Sequence, residues 1–253
     1  MGRRTRAAES DDPPRGGSTG GGTTGDGAEG RGSDADRGPR AGRGPHAGRD
    51  ADPGGERIGV FGGTFDPPHR GHVTVARDVA DALSLHRVLW IPAATSPFKV
   101  GETETPAALR LEMVRAAAEA DPRFQADDEE IRRGGVSYTV DTLRALRARW
   151  PGARLFLILG ADQVKELPGW KEPEEVLRLA VPAVMDREGF SALEVAPDLP
   201  GMERAVAVPV TRVDVSSTLV RERAAAGEDI ADLVPPGVLE IIRREGLYGV
   251  GGA

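Results

Sequence analysis

From Arg57 onward, short runs that are apolar at every position alternate with segments whose apolar residues recur at helical spacing. The apolar runs are Ile58–Phe61, Val88–Ile91, Leu155–Leu159, Ala180–Met185 and Ala205–Val210. A strand with no polar alternation is buried on both faces, which is typical of parallel sheets covered by helices on either side. The pattern therefore predicts an α/β fold built on a doubly wound parallel sheet.

The helical segments predict five helices and leave a small helical part at the C-terminus. They are Val73–Leu83, Ala107–Ala120, Thr139–Trp150, Ser217–Ala226 and Pro236–Glu245. In open parallel sheets, ligands bind beside the carboxyl ends of the strands, at the point where strand order reverses. The loops that follow Phe61, Ile91 and Leu159 are therefore the places to look for a site.

The first 55 residues have a different composition from the rest of the chain. They hold 16 of the 34 glycines, nine arginines and nine acidic residues, with no Val, Ile, Leu, Phe, Trp or Tyr. Such a segment buries too little apolar surface to offset its ordering entropy. We predict a disordered Gly/Arg/Asp-rich tail over 1–55, acting as a spacer or as an accessory RNA-binding segment, and one folded domain over 56–253.

Charge and cysteine content narrow the classes of function. The tail is neutral by count, so the formal charge of -7 belongs to the folded domain, which disfavours binding to nucleic acid. The chain has no cysteine, which excludes disulfides, thiolate nucleophiles and Cys-ligated metals. No run approaches the ~20 apolar residues that span a bilayer, and the start lacks a signal-peptide core. We expect a cytoplasmic protein without membrane contact; a homo-oligomer is left open.

The loop after the first strand carries the strongest motif, Gly-Gly-Thr-Phe-Asp-Pro-Pro-His-Arg-Gly-His over residues 62–72. Gly62 and Gly63 let backbone amides approach an anion, and the following helix presents its free N–H groups to the same place. His69 and His72 share one face of that helix start, where each imidazole can donate to a phosphate oxygen. We expect Gly71 to leave room for a ligand. A zinc site is the weaker reading, because no third ligand is near.

A second phosphate-binding motif opens the penultimate helix, with Ser216, Ser217 and Thr218 followed by Arg221. Hydroxyl residues at a helix start supply cap oxygens and leave amides free. Arg221 lies four residues after Ser217 and therefore on the same helix face. Taken alone, the Ser-Ser-Thr start would be ordinary capping.

Together these two motifs resemble the G-G-T-F-D-P-x-H-x-G-H and I-S-S-T-x-x-R signatures of the nucleotidyltransferase superfamily. The resemblance implies a Rossmann-like domain in which a substrate phosphate attacks the α-phosphorus of a nucleoside triphosphate directly, with Mg²⁺ assisting. It implies His69, His72 and Arg221 as catalytic residues. It implies ATP contacts from Gly62, Gly63, Thr64, Phe65, Gly160, Asp162, Ser216, Ser217 and Thr218, with no metal held by the protein.

Three further segments resemble those of nicotinate mononucleotide adenylyltransferases. They are Ser137–Leu143, Leu167–Trp170 and the Ser96–Lys99 loop, and the resemblance runs over residues 57–249. It implies that Trp170 stacks on the pyridine ring, that the amide of Thr139 receives its carboxylate, and that Lys99 helps to neutralise the acceptor phosphate. It also implies that Tyr138 binds the substrate. Two residues depart from the pattern: Phe98 replaces a common His, and Lys171 replaces a common aromatic residue.

The resemblance thus implies that ATP and nicotinate mononucleotide give deamido-NAD and pyrophosphate, in NAD biosynthesis. The alternatives are a sibling such as pantetheine-phosphate adenylyltransferase or a cytidylyltransferase, and a nucleotide-binding regulatory module without turnover. A dehydrogenase is disfavoured because no G-x-G-x-x-G follows the first strand.

Overall fold

The structure is a computed structural model that describes residues 55–96, 105–186 and 197–250. These residues belong to one unit spanning Asp50–Ala253. The predicted tail lies outside the described residues except for Gly55, so its boundary stays a prediction. Lys99 and Phe98 also lie outside them. No helix in the described ranges is long and apolar enough to cross a membrane.

Strands and helices alternate along most of the described residues. The strands are β1 (Arg57–Gly63), β2 (Arg87–Pro92), β3 (Phe124–Ala126), β4 (Arg154–Leu159), β5 (Val181–Asp186) and β6 (Val206–Pro209). The helices are α1 (Arg70–Ala82), α2 (Ala107–Ala118), α3 (Glu129–Arg133), α4 (Thr139–Arg149), α5 (Ala161–Glu166), α6 (Pro173–Leu179), α7 (Ser217–Ala225) and α8 (Pro236–Arg244). Short 3₁₀ turns cover Leu167–Gly169, Met202–Arg204 and Leu247–Gly249.

The strands form one parallel sheet in the order β3-β2-β1-β4-β5-β6. β1 lies at the centre, with Val60 opposite Leu89 of β2 on one side and Leu157 of β4 on the other. This is the strand order of a Rossmann fold. The chain adds β2 and β3 on one side of β1 and then β4, β5 and β6 on the other, so strand order reverses between β1 and β4. The predicted doubly wound α/β fold is confirmed.

Each face of the sheet packs against its own layer of helices. Phe156 and Ile158 of β4 lie in the cluster under α1, α2 and α8, whereas Leu155, Leu157 and Leu159 lie in the cluster under α4 and α6. All five side chains are at most 4 % exposed. Burial of alternate residues on opposite faces explains why the strand is apolar at every position.

Four elements were missing from the sequence prediction: β3, α3, α5 and α6. β3 has three residues and α3 has five, which is too short for a periodic pattern to develop. α5 and α6, with six and seven residues, fall in a region that the sequence indicated only as a loop after the central strand. The predicted strands and helices are all present, with ends that differ by a few residues.

A buried guanidinium joins the loops that leave β1 and β2. Arg110 of α2 is 1 % exposed. Its Nη1 donates to the Thr64 carbonyl at 2.9 Å, its Nη2 to the Ala94 carbonyl at 3.1 Å, and its Nε to the Thr105 carbonyl at 2.9 Å. A planar, permanently charged fork suits three carbonyls that approach from different segments. Arg110 therefore fixes the two strand ends at which ligands bind in this fold.

We predict that Arg110→Met lowers the free energy of unfolding by about 3 kcal/mol, because buried carbonyls lose charged donors and each unsatisfied group costs ~1–3 kcal/mol. Urea denaturation measures the change. Arg115→Met is the matched control, since Arg115 is an exposed arginine on the same helix; we expect it to stay within about 0.5 kcal/mol of wild type. Equal stability of the two variants would contradict the role assigned to Arg110.

Candidate active site

A cavity of about 550 Å³ opens where strand order reverses, at the carboxyl ends of β1 and β4. Its lining includes Gly62 and Gly63 at the end of β1, Thr64 directly after it, and Leu157–Leu159 of β4. Nothing lies within 4 Å of the place where a side chain on Gly62 would begin, so the backbone there is open to the cavity. A ligand can therefore approach the end of β1 at Gly62, whereas a Cβ on Gly63 would lie 3.1 Å from the Phe65 ring.

The loop between β1 and α1 is held in a tight conformation by aromatic packing. Phe65 is 2 % exposed and has φ of 52°, a left-handed conformation that costs a non-glycine residue roughly 1 kcal/mol or more. Its ring packs on Phe61, Trp90 and His72 with centroids 5.1–5.5 Å away. The Asp66–Pro67 peptide that follows is cis. Burial of Phe65 thus sets the path that carries the chain to the histidines.

The Asp66 carboxylate ties this loop to two distant segments. Tyr248 Oη donates to its Oδ1 at 2.6 Å, and the Thr105 backbone N–H donates to its Oδ2 at 3.3 Å. Thr105 Oγ1 in turn donates to Tyr248 Oη at 3.2 Å. Burial raises the pKa of Tyr248 far above its usual value, with the Asp66 carboxylate contributing, so the phenol stays a donor. The C-terminal Tyr248 thereby fixes the loop that precedes the histidines.

His69 and His72 stack at the start of α1, with ring centroids 3.7 Å apart. The His69 backbone N–H donates to His72 Nδ1 at 3.1 Å, so the proton of the neutral His72 ring resides on Nε2. Burial lowers the pKa of His69 to about 4. Burial, followed by the charge of His69, lowers the pKa of His72 well below its usual value. Both imidazoles are therefore neutral near pH 7 and act as hydrogen-bonding groups.

The start of α7 docks on the same loop. Arg221 Nη1 donates to the Asp66 carbonyl at 2.7 Å, and Ser217 Oγ donates to the Pro67 carbonyl at 2.9 Å. Ser216 caps the helix by accepting from the Leu219 N–H at 3.1 Å. The structure therefore brings the two predicted phosphate motifs together, although they are about 150 residues apart in the chain. Arg221 supplies a permanent positive charge on the loop that leads to the two neutral imidazoles.

The opposite wall of the cavity is aromatic. Tyr138, Thr139 and Trp170 line it, and Tyr138 is 37 % exposed. Ser137 Oγ accepts from the Ala94 N–H at 3.0 Å, which ties the start of α4 to the end of β2. No side-chain hydrogen bond within the described ranges caps α4, and Thr139, the first residue of the helix, lines the cavity. The wall suits a flat ring that carries a negative group.

Two expectations need correction or restriction. Gly71 does not leave room for a ligand: a Cβ there would lie 3.0 Å from Val215 Cγ1 and 3.1 Å from His69 Nδ1, so glycine serves close packing of α1 against the segment that precedes α7. A Cβ added to Gly160 would likewise lie 3.2 Å from Met185 Cε. The Asp162 carboxylate is 96 % exposed and lies outside the cavity lining, so its predicted ribose contact stays a prediction.

Several groups that hold the site together were missing from the sequence prediction. Arg110 and Tyr248 act through contacts with residues 46 and 182 positions away, which leave no local pattern. Their types offered a signal in retrospect: an arginine within an apolar helix stretch and a tyrosine in a C-terminal glycine-rich turn. Among the described residues, no group of three or more His, Asp or Glu is arranged to hold a metal.

We predict that acid destabilises the protein through the histidine pair. The folded pKa of His69 lies below its unfolded value of 6.5, so the free energy of unfolding has its full value above pH 6.5. As the pH drops from 6.5 towards about 4, the unfolded state binds the proton more readily, and the free energy of unfolding falls. Each such group changes the unfolding free energy by up to ~1.4 kcal/mol per pH unit. Chemical denaturation at pH 7.5, 6, 5 and 4 measures the slope. His69→Gln should flatten it; an unchanged slope would contradict a neutral, buried His69.

Comparison with known proteins agrees with this geometry. Residues 60–223 match the family described as Cytidylyltransferase-like. The chain is 42% identical over 196 residues to a probable nicotinate-nucleotide adenylyltransferase of Rubrobacter xylanophilus, covering 76% of this chain and 92% of the relative. It is 43% identical over 192 residues to a protein of the same name in Corynebacterium kroppenstedtii, covering 76% and 90%.

Solved structures resemble the fold. A Plasmodium falciparum nicotinic acid mononucleotide adenylyltransferase complexed with NaAD superimposes with a TM-score of 0.63 at 18% identity, covering 78% of this chain and 98% of that one. At that identity the likeness concerns the fold alone. The sequence comparison supports a more specific assignment, because the family match over residues 60–223 contains both phosphate motifs and the aromatic wall. The chain belongs to the nicotinate-nucleotide adenylyltransferase family, within the Cytidylyltransferase-like group.

Proposed function

We propose that this protein transfers the adenylyl group of ATP to nicotinate mononucleotide, forming deamido-NAD and pyrophosphate. The observation that carries the proposal is the juxtaposition at one strand-order reversal. A cavity with an aromatic wall adjoins a loop on which two neutral histidines and Arg221 converge. Transfer between two bound nucleotides requires such adjoining subsites, because catalysis then depends chiefly on alignment of the reacting groups.

The triphosphate of ATP is assigned to the loop side. Backbone amides of Gly62, Gly63, Thr64 and Phe65 would approach the α-phosphate. His69 and His72, the latter through its Nε2–H, would donate to its oxygens as negative charge develops on them. Arg221, with the start of α7 at Ser216, Ser217 and Thr218, would hold the β- and γ-phosphates. Neutral donors and a single cation stabilise the transition state without binding the ground-state anion too tightly.

Nicotinate mononucleotide is assigned to the cavity. Trp170 would stack on the pyridine ring, and the amide of Thr139 beside Tyr138 would receive its carboxylate. Lys99, Gly160 and Asp162 keep the roles that the family resemblance implies, at the acceptor phosphate for Lys99 and at the ATP ribose for the other two. The cavity volume of about 550 Å³ is within the range of small-molecule sites.

We propose that Mg²⁺ enters as a complex with ATP. The phosphate loop offers imidazoles, amides and a guanidinium, which do not suit Mg²⁺, while its Asp66 carboxylate already accepts from Tyr248 and Thr105. The ion would therefore be held mainly by phosphate oxygens, where it would neutralise the leaving pyrophosphate.

A cytoplasmic location, the absence of nucleic-acid binding and the disorder of residues 1–55 stay predictions from the sequence.

We predict that His72→Ala and His72→Asn each lower kcat by about 10²–10³, because one donor to the transition state is lost. His72→Asn keeps an acceptor near the His69 N–H and separates this loss from a change in the helix start. Pyrophosphate release with ATP and nicotinate mononucleotide measures the rate. His86→Ala, which removes an exposed imidazole between α1 and β2, is the control and should keep wild-type activity.

Three results would contradict the proposal. Activity of both His72 variants within about threefold of wild type would exclude the assigned role of that histidine. Pyrophosphate release with phosphopantetheine in place of nicotinate mononucleotide would indicate the sibling enzyme. Binding of ATP with no release of pyrophosphate under any acceptor would indicate a regulatory module.

A further inference from the structure

The described residues that line the cavity include two acidic side chains and one basic side chain. Among the described residues that line it, Lys171 is the sole cation, while Glu130 and Glu166 are acidic. Glu130 is engaged: its Oε1 accepts from Thr142 Oγ1 at 2.6 Å, and Arg133 donates to the same hydroxyl at 2.9 Å. Glu166 is exposed to solvent at the end of α5. The Lys171 ammonium is therefore the charged group of this wall best placed to meet an anionic ligand.

Two contacts place that ammonium at the first turn of α4. Lys171 Nζ lies 4.8 Å from the centroid of the Tyr138 ring and 2.9 Å from Asp141 Oδ2. Tyr138 is the residue before the helix, and Asp141 belongs to its first turn. The Lys171 side chain is 41 % exposed, so the ammonium can move between partners. It thus lies beside the start of α4, whose first residue, Thr139, lines the cavity.

A lysine at this position opposes the helix dipole. The N-terminal end of a helix carries a partial positive charge, which disfavours a second cation nearby. Asp141 offsets the repulsion in the free protein. Asp141 also lies 3.7 Å from Arg144 Nη1, so it keeps a cationic neighbour if Lys171 turns towards a ligand. The ammonium therefore adds positive potential at the aromatic wall, and it can turn from Asp141 towards a ligand at little cost in free energy.

We propose that Lys171 is a specificity-determining residue that favours a pyridine mononucleotide carrying a carboxylate over one carrying a carboxamide. The inference rests on the proposed function, since it concerns the acceptor of that reaction. When the acid form binds, the ammonium is shared between the ligand carboxylate and Asp141. The amide form carries no charge that can pair with the ammonium, so the positive potential of the site does not favour its binding.

The decisive experiment compares KM and kcat for the acid and amide mononucleotides in the full-length enzyme. Lys171→Met should raise KM for nicotinate mononucleotide about three- to fivefold, the range of a solvent-screened ion pair, with kcat nearly unchanged. KM for the amide form should stay within about twofold of wild type. Arg178→Met is the matched control: Arg178 is an exposed cation on α6 that pairs with Glu175 and lies outside the cavity lining.

A second variant should shift KM in the opposite direction. Asp141→Asn removes a carboxylate that competes for Lys171, so it should lower KM for the acid form and leave the amide form unchanged. The wild-type preference for the acid should weaken between 50 and 500 mM KCl, because salt screens exposed charges. In Lys171→Met that salt dependence should shrink.

The outcomes separate this inference from the function on which it rests. A Lys171→Met variant whose KM rises equally for both mononucleotides would overturn the proposal and show that Lys171 only anchors the loop of Trp170. An unchanged preference for the acid would overturn it as well. A wild-type enzyme that releases no pyrophosphate with either mononucleotide would instead refute the proposed function, whatever the variants do.

Discussion

The site depends on the reversal of strand order between β1 and β4. Helices that follow strands on either side of this point leave towards opposite faces of the sheet, so the carboxyl ends of β1 and β4 stay uncovered. The cavity lies there because no connection crosses it. Gly62 exposes the backbone of β1 to the same space. The phosphate loop and the aromatic wall are thus brought to one crevice by topology, before any specific side chain contributes.

Buried polar ties then give the crevice a fixed shape. Arg110 holds the carbonyls after β1 and β2, while the Asp66 carboxylate accepts from Tyr248 and Thr105. Asp66 also offers its carbonyl to Arg221. One residue therefore couples the loop before the histidines to the C-terminus and to α7. Such preorganisation matters for phosphoryl transfer, since alignment and charge stabilisation carry most of the rate.

Elements and motifs that a local residue pattern encodes were predicted from the sequence. Those that depend on contacts between distant residues were missed. The strand Leu155–Leu159 was predicted because a doubly covered parallel strand is apolar at every position. The two phosphate motifs were predicted from their residue types, and the structure places them side by side. β3 was missed because three residues carry no periodicity, and Tyr248 because its partner Asp66 is 182 residues away. Gly71 was misread, since only the packed structure shows Val215 against it.

The central claim is a direct transfer between two bound nucleotides, without a nucleophile from the protein. The stereochemical course at the α-phosphorus tests it most directly. ATP carrying a chiral α-phosphorothioate would be converted in the presence of nicotinate mononucleotide, and the configuration of the dinucleotide product determined. A single in-line displacement predicts inversion at phosphorus. Retention would require two displacements through a covalent enzyme intermediate, and would contradict the account.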